Sequence, residues 1–190
     1  MARAMLAGGV QGIADSHLAN LERLRRSGIG APLMLLRSPT MGEIGPVVGL
    51  VDIVLCSSLP TIEALSKAAM EWRRQVQVVL MIEMGDRREG IMPDELEDLL
   101  VIAGKLPGIR VCGLGTNLAC LAGALPTGAG ITYLEDLAKN YGPGKTAPGI
   151  ISAGNSSSLG LIYQGKWPHL FLPAHLRMGE SILLGWDVIT

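Results

Sequence analysis

Residues 75–84, QVQVVLMIEM, form the strongest β-strand pattern in the chain. The run is nearly continuously apolar, which is typical of a strand covered on both faces, as in a parallel sheet. A helix is predicted on each side of it. One opens at Ser58-Leu59-Pro60, with proline just inside its start, and runs to about residue 74, and the other extends from Pro93 to about residue 105. A strand between two helices indicates an α/β fold.

The same alternation of strand and helix continues in both directions along the chain. Seven strands are predicted, beginning at Val10, Pro32, Val51, Gln75, Arg110, Gly149 and His175. Strict alternation with apolar strands indicates a parallel sheet, which is either open and doubly wound or closed into a barrel. A complete eight-stranded α/β barrel usually needs about 250 residues, and this chain has 190.

The order of the predicted elements favours the barrel. The chain opens with a predicted helix over residues 1–7, whereas a barrel opens with a strand. One strand before Met1 would complete both the count and the order. We therefore expect an α/β fold of the TIM-type (β/α)8 class that is incomplete, with the first strand missing. Its edges at Val10 and His175 are expected to be unpaired.

Composition excludes several classes of partner. The formal net charge of −1 gives no electrostatic footprint for DNA or RNA. No run approaches the roughly 18 apolar residues that a membrane helix requires. The three cysteines cannot all pair with one another, and no CxxC motif is present, so a reduced cytoplasmic protein is expected. The three histidines are scattered and predict no metal site.

Two loops near the end of the chain have the composition of an anion site. Gly154-Asn155-Ser156-Ser157-Ser158 joins a strand to a helix, where hydroxyl and backbone N–H groups can face a phosphate. Gly179 follows the next strand and allows close backbone approach. Barrels often bind phosphate at the loops after strands seven and eight, which are the places of these two loops if one strand is missing. A serine-rich turn that only caps a helix is the alternative.

Arg88 and Arg177 are the candidate charged ligands. Each follows a predicted strand, and an arginine at a barrel mouth is costly unless it meets an anion or a polar ligand. The alternative is a structural salt bridge, for example of Arg87 or Arg88 with Glu83 or Glu89.

Four stretches of the chain together resemble the barrel domain of the alanine racemase superfamily, most closely its ornithine racemase-like branch. They occur in the family's order and span nearly the whole chain: Ala14-Asp15-Ser16 with the leucine-rich helix after it, residues 84–90 (MGDRREG), residues 113–118 (GLGTNL), and residues 152–158 (SAGNSSS) with residues 176–181 (LRMGES). The resemblance implies pyridoxal phosphate as cofactor and an amino acid as substrate.

The resemblance also implies roles for individual residues. Arg177 matches an arginine that hydrogen-bonds the pyridine nitrogen, and Arg88 matches one near the phenolic oxygen. The phosphate cradle corresponds to Asn155 and Ser156 with the backbone around Gly179 and Glu180. Asn117 stands where alanine racemases proper carry a histidine beside the ring, which fits the ornithine racemase-like branch and weakens any inference of alanine specificity.

The resemblance implies a racemisation in which two bases exchange the α-proton of the amino acid. Neither base is expected among the residues of this chain. In the family, one base is the lysine that binds the cofactor covalently at the end of the first barrel strand, and the other comes from the C-terminal β-domain of a partner subunit in a homodimer. The chain's five lysines, Lys67, Lys105, Lys139, Lys145 and Lys166, are all predicted in helices or connecting loops. We therefore expect no catalytic lysine here and a β-domain beginning after Trp186, so that residues 1–190 are a partial barrel domain, inactive alone.

Two other functions remain open at this point. One is a non-catalytic pyridoxal-phosphate carrier or homeostasis protein, built as a single barrel of related sequence. The other is a barrel that binds a different phosphorylated metabolite. The amino acid that a racemase of this kind acts on is not encoded in any motif of the chain.

Overall fold

Seven parallel strands form one sheet in a computed structural model, which describes residues 1–120, 123–140 and 148–185. Each strand pairs with the next one along the chain, in the order β1 to β7. The strands are β1 (Ile13–Asp15), β2 (Leu33–Leu35), β3 (Ile53–Cys56), β4 (Val76–Met81), β5 (Ile109–Gly115), β6 (Ile150–Asn155) and β7 (Ala174–Arg177). The sequential order rules out the doubly wound sheet and confirms the seven-stranded, nearly closed TIM-type barrel.

The helices are α1 (Ala2–Ala7), α2 (Leu18–Arg26), α3 (Ile44–Leu50), α4 (Leu59–Glu71), α5 (Leu96–Ala103), α6 (Gly128–Asn140), α7 (Leu159–Tyr163) and α8 (Glu180–Leu184). Helices α2 to α7 connect successive strands, whereas α1 precedes β1 and α8 follows β7. Short 3-10 turns at Met41–Glu43, Pro93–Glu95 and Ser156–Ser158 precede α3, α5 and α7. Pro60 lies in the first turn of α4, where its missing N–H costs nothing. The short helix α8 was not predicted from the sequence.

The central strands are apolar because they bury both faces. In β2, Met34 packs inside the barrel with Leu55, Val79, Met81 and Cys112. Its neighbours Leu33 and Leu35 point the other way, into the layer between sheet and helices. This alternation is the period-two geometry of a strand. The interior cluster fills the barrel beneath its mouth, so polar chemistry is confined to the loops at the strand ends.

Several strands are shorter than the sequence predicts. Residues 10–14 and 32–37 were predicted as strands, but the parallel ladder between them covers three residue pairs, from Ile13–Leu33 to Asp15–Leu35. Val10 is 37% exposed and lies outside the sheet. Apolar composition therefore extends beyond the hydrogen-bonded ladder. Within the described ranges, β1 pairs only with β2 and β7 only with β6, as expected for the two edges.

A buried carboxylate on α6 fixes the approach to β7. Glu135, 1% exposed, accepts hydrogen bonds from the backbone N–H groups of Phe171 (2.6 Å) and Leu172 (2.8 Å), and forms an ion pair with Lys139 (2.6 Å). Burial tends to raise the pKa of this carboxyl, but the hydrogen bonds outweigh it and the pKa is lowered. The contact anchors the segment that leads into β7 and its terminal Arg177.

No helix in the described part of the chain is long and apolar enough to cross a membrane.

Candidate functional site

The loops after β6 and β7 meet at the mouth of the barrel. Ser156 is 6% exposed, and its Oγ accepts hydrogen bonds from the backbone N–H groups of Gly179 (3.4 Å) and Ser181 (3.1 Å). The Ser181 hydroxyl lies 3.3 Å from the same oxygen. We call this group the Ser156 cluster. The structure thus brings together the two loops that the sequence singled out as an anion site.

Close packing of β6 against β7 holds the Ser156 cluster together. A Cβ added at Gly154 would collide with Leu176 Cδ2 and approach Leu176 Cγ to 3.3 Å. In the ladder, Gly154 pairs with Leu176 and Asn155 with Arg177. The absence of a Cβ at Gly154 thus leaves room for the Leu176 side chain, and the ladder sets the two loops side by side.

Asn155 and Glu180 have different surroundings from Ser156. The Asn155 Nδ2 group donates to the Leu118 carbonyl (2.6 Å), and its Oδ1 accepts from the hydroxyls of Ser157 and Ser158. The bond to Leu118 ties the loop after β6 to the loop after β5. The backbone N–H of Asn155 donates to Ser158 Oγ (3.3 Å), as in the helix-capping alternative. Glu180 is exposed at the start of α8, between the two residues whose N–H groups reach Ser156.

Arg177 ends β7 and is held by three hydrogen bonds. Its Nη1 group donates to the carbonyl (2.6 Å) and the hydroxyl (2.5 Å) of Ser152, and Nη2 donates to the Thr116 carbonyl (2.7 Å). The Nε–H group has no partner among the described residues. Burial, and secondly the nearby charge of Arg88, lowers the pKa of Arg177 to about 10. The guanidinium is therefore a fixed cation near the mouth with a donor to spare.

Ser152 and His175 support Arg177, and the sequence did not identify either of them as part of the site. The Ser152 hydroxyl accepts a hydrogen bond from Arg177 and lies 2.8 Å from His175 Nδ1, where the imidazole tautomer decides which of the two groups donates. Burial, followed by the charge of Arg177, lowers the pKa of His175 to about 4. The sequence signal that could have identified them is their position within the strands. His175 and Arg177 are two residues apart on a strand, and Ser152 is a polar residue in an apolar strand.

Arg88 comes from the loop after β4. Its Nη1 group donates to Cys120 Sγ (2.9 Å), and Nη2 lies 3.4 Å from the Leu36 carbonyl. Among the described residues it forms no ion pair with Glu83 or Glu89, so the predicted alternative of a structural salt bridge is not observed. Glu83 instead accepts backbone N–H groups of Gly85 and Arg87 and shapes the loop.

Asn117 follows β5 and is 6% exposed. Its Nδ2 group is buried and has no hydrogen-bond partner among the described residues. A buried, unsatisfied donor is unfavourable by about 1–3 kcal/mol. Such an atom beside the mouth fits a site whose ligand supplies the missing acceptor.

Lysine does not occur at any described strand end. Lys67 lies in α4, Lys139 in α6, and Lys105 and Lys166 in connecting segments. Lys145 and Trp186 lie outside the described residues. No described lysine therefore faces the mouth in the position expected for a covalent cofactor link.

Together, the fold and the site define an α/β barrel whose mouth brings hydroxyl and backbone N–H groups together with two arginines. The chain matches the family "Alanine racemase, N-terminal domain" over residues 1–182. It belongs to that family.

Individual relatives agree with this assignment. The chain is 37% identical to the ornithine racemase of Acetoanaerobium sticklandii, with 90% of this chain and 48% of the relative covered. It is 32% identical to the lysine racemase of Thermotoga maritima, with 95% of this chain and 50% of the relative covered. The chain spans about half the length of these curated relatives.

Solved structures agree on the fold. Alanine racemase of Clostridium difficile 630 has a TM-score of 0.75 at 21% identity, covering 94% of this chain and 48% of that one. PipY of Synechococcus elongatus PCC7942, described with PLP bound, has a TM-score of 0.73 at 17% identity, covering 95% and 85%.

Proposed function

We propose that residues 1–190 form the pyridoxal-phosphate-binding barrel domain of an amino-acid racemase, which exchanges the α-proton of its substrate. The observation that carries this proposal is the Ser156 cluster beside the half-buried cation of Arg177, at the mouth of a barrel of the alanine racemase family.

The described residues fit the cofactor's functional groups. Hydroxyl and backbone N–H groups around Ser156 suit a phosphate, which accepts several hydrogen bonds. The free Nε–H of Arg177 can donate to an unprotonated pyridine nitrogen, and Arg88 can meet the phenolic oxygen. Asn117 has a buried donor without a partner beside the mouth. Asn155 would contribute by fixing the loop that carries Ser156.

The residues of the barrel bind and orient, and the cofactor supplies the electronic chemistry. Pyridoxal phosphate, when bound, delocalises the charge left at Cα when the α-proton departs. A cation at Arg177 disfavours protonation of the ring nitrogen, because two positive charges would then lie side by side. His175 has a pKa of about 4, is therefore neutral near pH 7, and can hold Ser152 and Arg177 in place without adding charge.

Substrate, assembly and compartment follow from the family resemblance and the relatives. The relatives named ornithine racemase and lysine racemase make basic amino acids the first substrates to test. We propose a homodimer in which a partner subunit's β-domain supplies the opposite base. The three cysteines are free thiols, which agrees with a cytoplasmic protein.

Cofactor binding tests the proposal on this chain directly. Titration with pyridoxal phosphate, followed by absorbance, should show saturable binding. The Ser156→Ala variant should bind about 10- to 100-fold more weakly, because a hydrogen bond to a charged group is lost. Ser27→Ala, which removes an exposed hydroxyl at the end of α2, should bind like the wild type. Unchanged affinity in both Ser156→Ala and Arg177→Leu would refute the site.

Proton exchange tests the reaction. A protein carrying this barrel together with its flanking gene sequence should incorporate solvent deuterium at Cα of ornithine or lysine, as measured by NMR. Cofactor binding without exchange on any amino acid would refute the racemase and favour a cofactor carrier.

A further inference from the structure

The loop after β4 brings a carboxylate into the mouth. Glu89 Oε2 lies 3.4 Å from both the backbone N–H and the hydroxyl of Ser38, which follows β2. The other oxygen, Oε1, is buried and has no hydrogen-bond partner among the described residues. A carboxylate normally accepts several strong hydrogen bonds, so Glu89 is poorly satisfied in the protein alone.

The surrounding arginines donate hydrogen bonds to groups other than Glu89. Arg37 forms a bidentate pair with Glu43, at 2.7 and 2.8 Å. Arg177 donates to Ser152 and Thr116, and Arg88 to Cys120 and Leu36. None of the three has an ion pair with Glu89 within the described residues. The pocket thus holds a carboxylate that has charged neighbours but no direct cationic partner.

The charge of Glu89 acts on two arginines of the mouth. The pKa of Arg37 is raised by its hydrogen bond to Glu43, against the effect of burial, and the charges of Glu43 and then Glu89 raise it further. At Arg177, where burial and Arg88 lower the pKa, Glu89 acts in the opposite direction.

The backbone of the loop keeps Glu89 there. Glu83 N–H donates to the Ile91 carbonyl and Ile91 N–H to the Met81 carbonyl, both at 2.9 Å, which closes the loop at its base. The last torsion of a glutamate side chain has a broad energy minimum, so the carboxylate can turn and present either oxygen to a ligand. Glu89 is therefore fixed in position but adjustable in orientation.

We propose that Glu89 binds the side-chain ammonium of a dibasic amino-acid substrate. This inference rests on the proposed racemase function and names its substrate class and a specificity-determining residue. The phosphate and phenolic oxygen of the cofactor and the substrate's α-carboxylate are anionic, and a carboxylate repels them. The α-amino group is engaged by the cofactor. The cationic end of a side chain is the remaining group that matches Glu89.

Stable conjugates provide the test without any catalytic step. N-(5′-phosphopyridoxyl)-L-ornithine and N-(5′-phosphopyridoxyl)-L-norvaline have the same backbone and chain length, and only the ornithine conjugate carries the terminal ammonium. Isothermal titration calorimetry of the 190-residue chain should show about 10- to 100-fold tighter binding of the ornithine conjugate. Glu89→Gln should abolish that preference and leave the norvaline conjugate within about twofold of wild type. The charge-matched control Glu97→Gln, on the exposed side of α5, should retain the preference.

Charge reversal gives a second, independent variant. Glu89→Lys should bind the phosphopyridoxyl conjugate of L-glutamate more tightly than that of L-ornithine. Equal binding of the ornithine and norvaline conjugates to the wild type, or equal weakening of both by Glu89→Gln, would overturn the role of Glu89 while leaving the cofactor site intact. Failure of every conjugate to bind would overturn the proposed function itself, and the inference with it.

Discussion

A methyl group added at Gly90 would test how rigidly the loop after β4 is held. A Cβ at this position would collide with the backbone nitrogen of Glu83 and lie 2.7 Å from both Glu83 Cα and the Ile82 carbonyl carbon. All three are backbone atoms, so no side-chain rotation relieves the overlap. The chain has two ways to respond, and each has a cost that can be worked out from the structure.

If Gly90→Ala keeps the loop in place, overpacking strain destabilises the protein by about 1–3 kcal/mol. If the loop opens, the two hydrogen bonds of the Ile82–Ile91 bridge are lost, at about 0.5–1.5 kcal/mol each, which gives a similar total. Either response lowers the free energy of unfolding by about 1–3 kcal/mol. Only the second also exposes the Ile91 amide to hydrogen exchange.

Equilibrium urea unfolding, followed by tryptophan fluorescence, measures the free-energy change. Gly30→Ala is the matched control, because a Cβ there meets no atom within 4 Å and the backbone conformation is ordinary. It should leave stability unchanged or raise it by up to about 1 kcal/mol. The reasoning fails if the two variants have the same free energy of unfolding to within about 0.5 kcal/mol.

Three further predictions concern lysine, acid stability and the anchor of β7. Borohydride reduction in the presence of pyridoxal phosphate should fix no cofactor on the four described lysines, and a labelled peptide containing one of them would contradict the site as described. Because the folded pKa of His175 is about 4, against an ordinary 6.5, the unfolded state alone takes up the proton as pH falls from about 6.5 to about 4. Stability should therefore decline over that window, by at most about 3 kcal/mol from this group. Urea unfolding at pH 7 and at pH 5 measures this decline, and His175→Asn should make it smaller. A decline of the same size in the variant would show that other groups cause it. Glu135→Gln should lower the free energy of unfolding by about 1–3 kcal/mol, because the two N–H groups then donate to a neutral amide oxygen and the ion pair with Lys139 is lost. A thermal-unfolding midpoint equal to that of the wild type would count against it.

The number and order of the strands could be predicted because their burial on both faces leaves a strong apolar signal. Their ends could not, since a strand ends where its neighbour stops pairing. β2 is limited to Leu33–Leu35 by its partners rather than by its own composition. The helix α8 was missed for another reason. Its residues Ile182, Leu183 and Leu184 are all exposed, so its composition does not show the usual division into a buried and a polar face.

The site residues Ser156, Arg177 and Gly179 could be predicted because they follow or end apolar strands, where their residue types stand out in the sequence. The hydrogen bonds from Arg177 to Ser152 and Thr116 could not be predicted, because Ser152 belongs to β6 and Thr116 to the segment after β5. The register between β6 and β7 shifts between Ile151 and Gly154, and no local pattern encodes that shift. Likewise, the sequence suggested Glu89 as a possible salt-bridge partner. Only the three-dimensional arrangement shows that no described cation forms an ion pair with it.

The filled interior of the barrel also makes two methionines useful as spectroscopic reporters. Met34 and Met81 are 4% and 0% exposed and lie under the mouth, whereas Met1 and Met70 are 82% and 54% exposed. With ¹³C-labelled methionine methyl groups, an aromatic ring arriving above the interior cluster should shift the resonances of Met34 and Met81 through its ring current. The signals of Met1 and Met70 should stay where they are, so ligand arrival could be followed in a spectrum of nine methyl peaks.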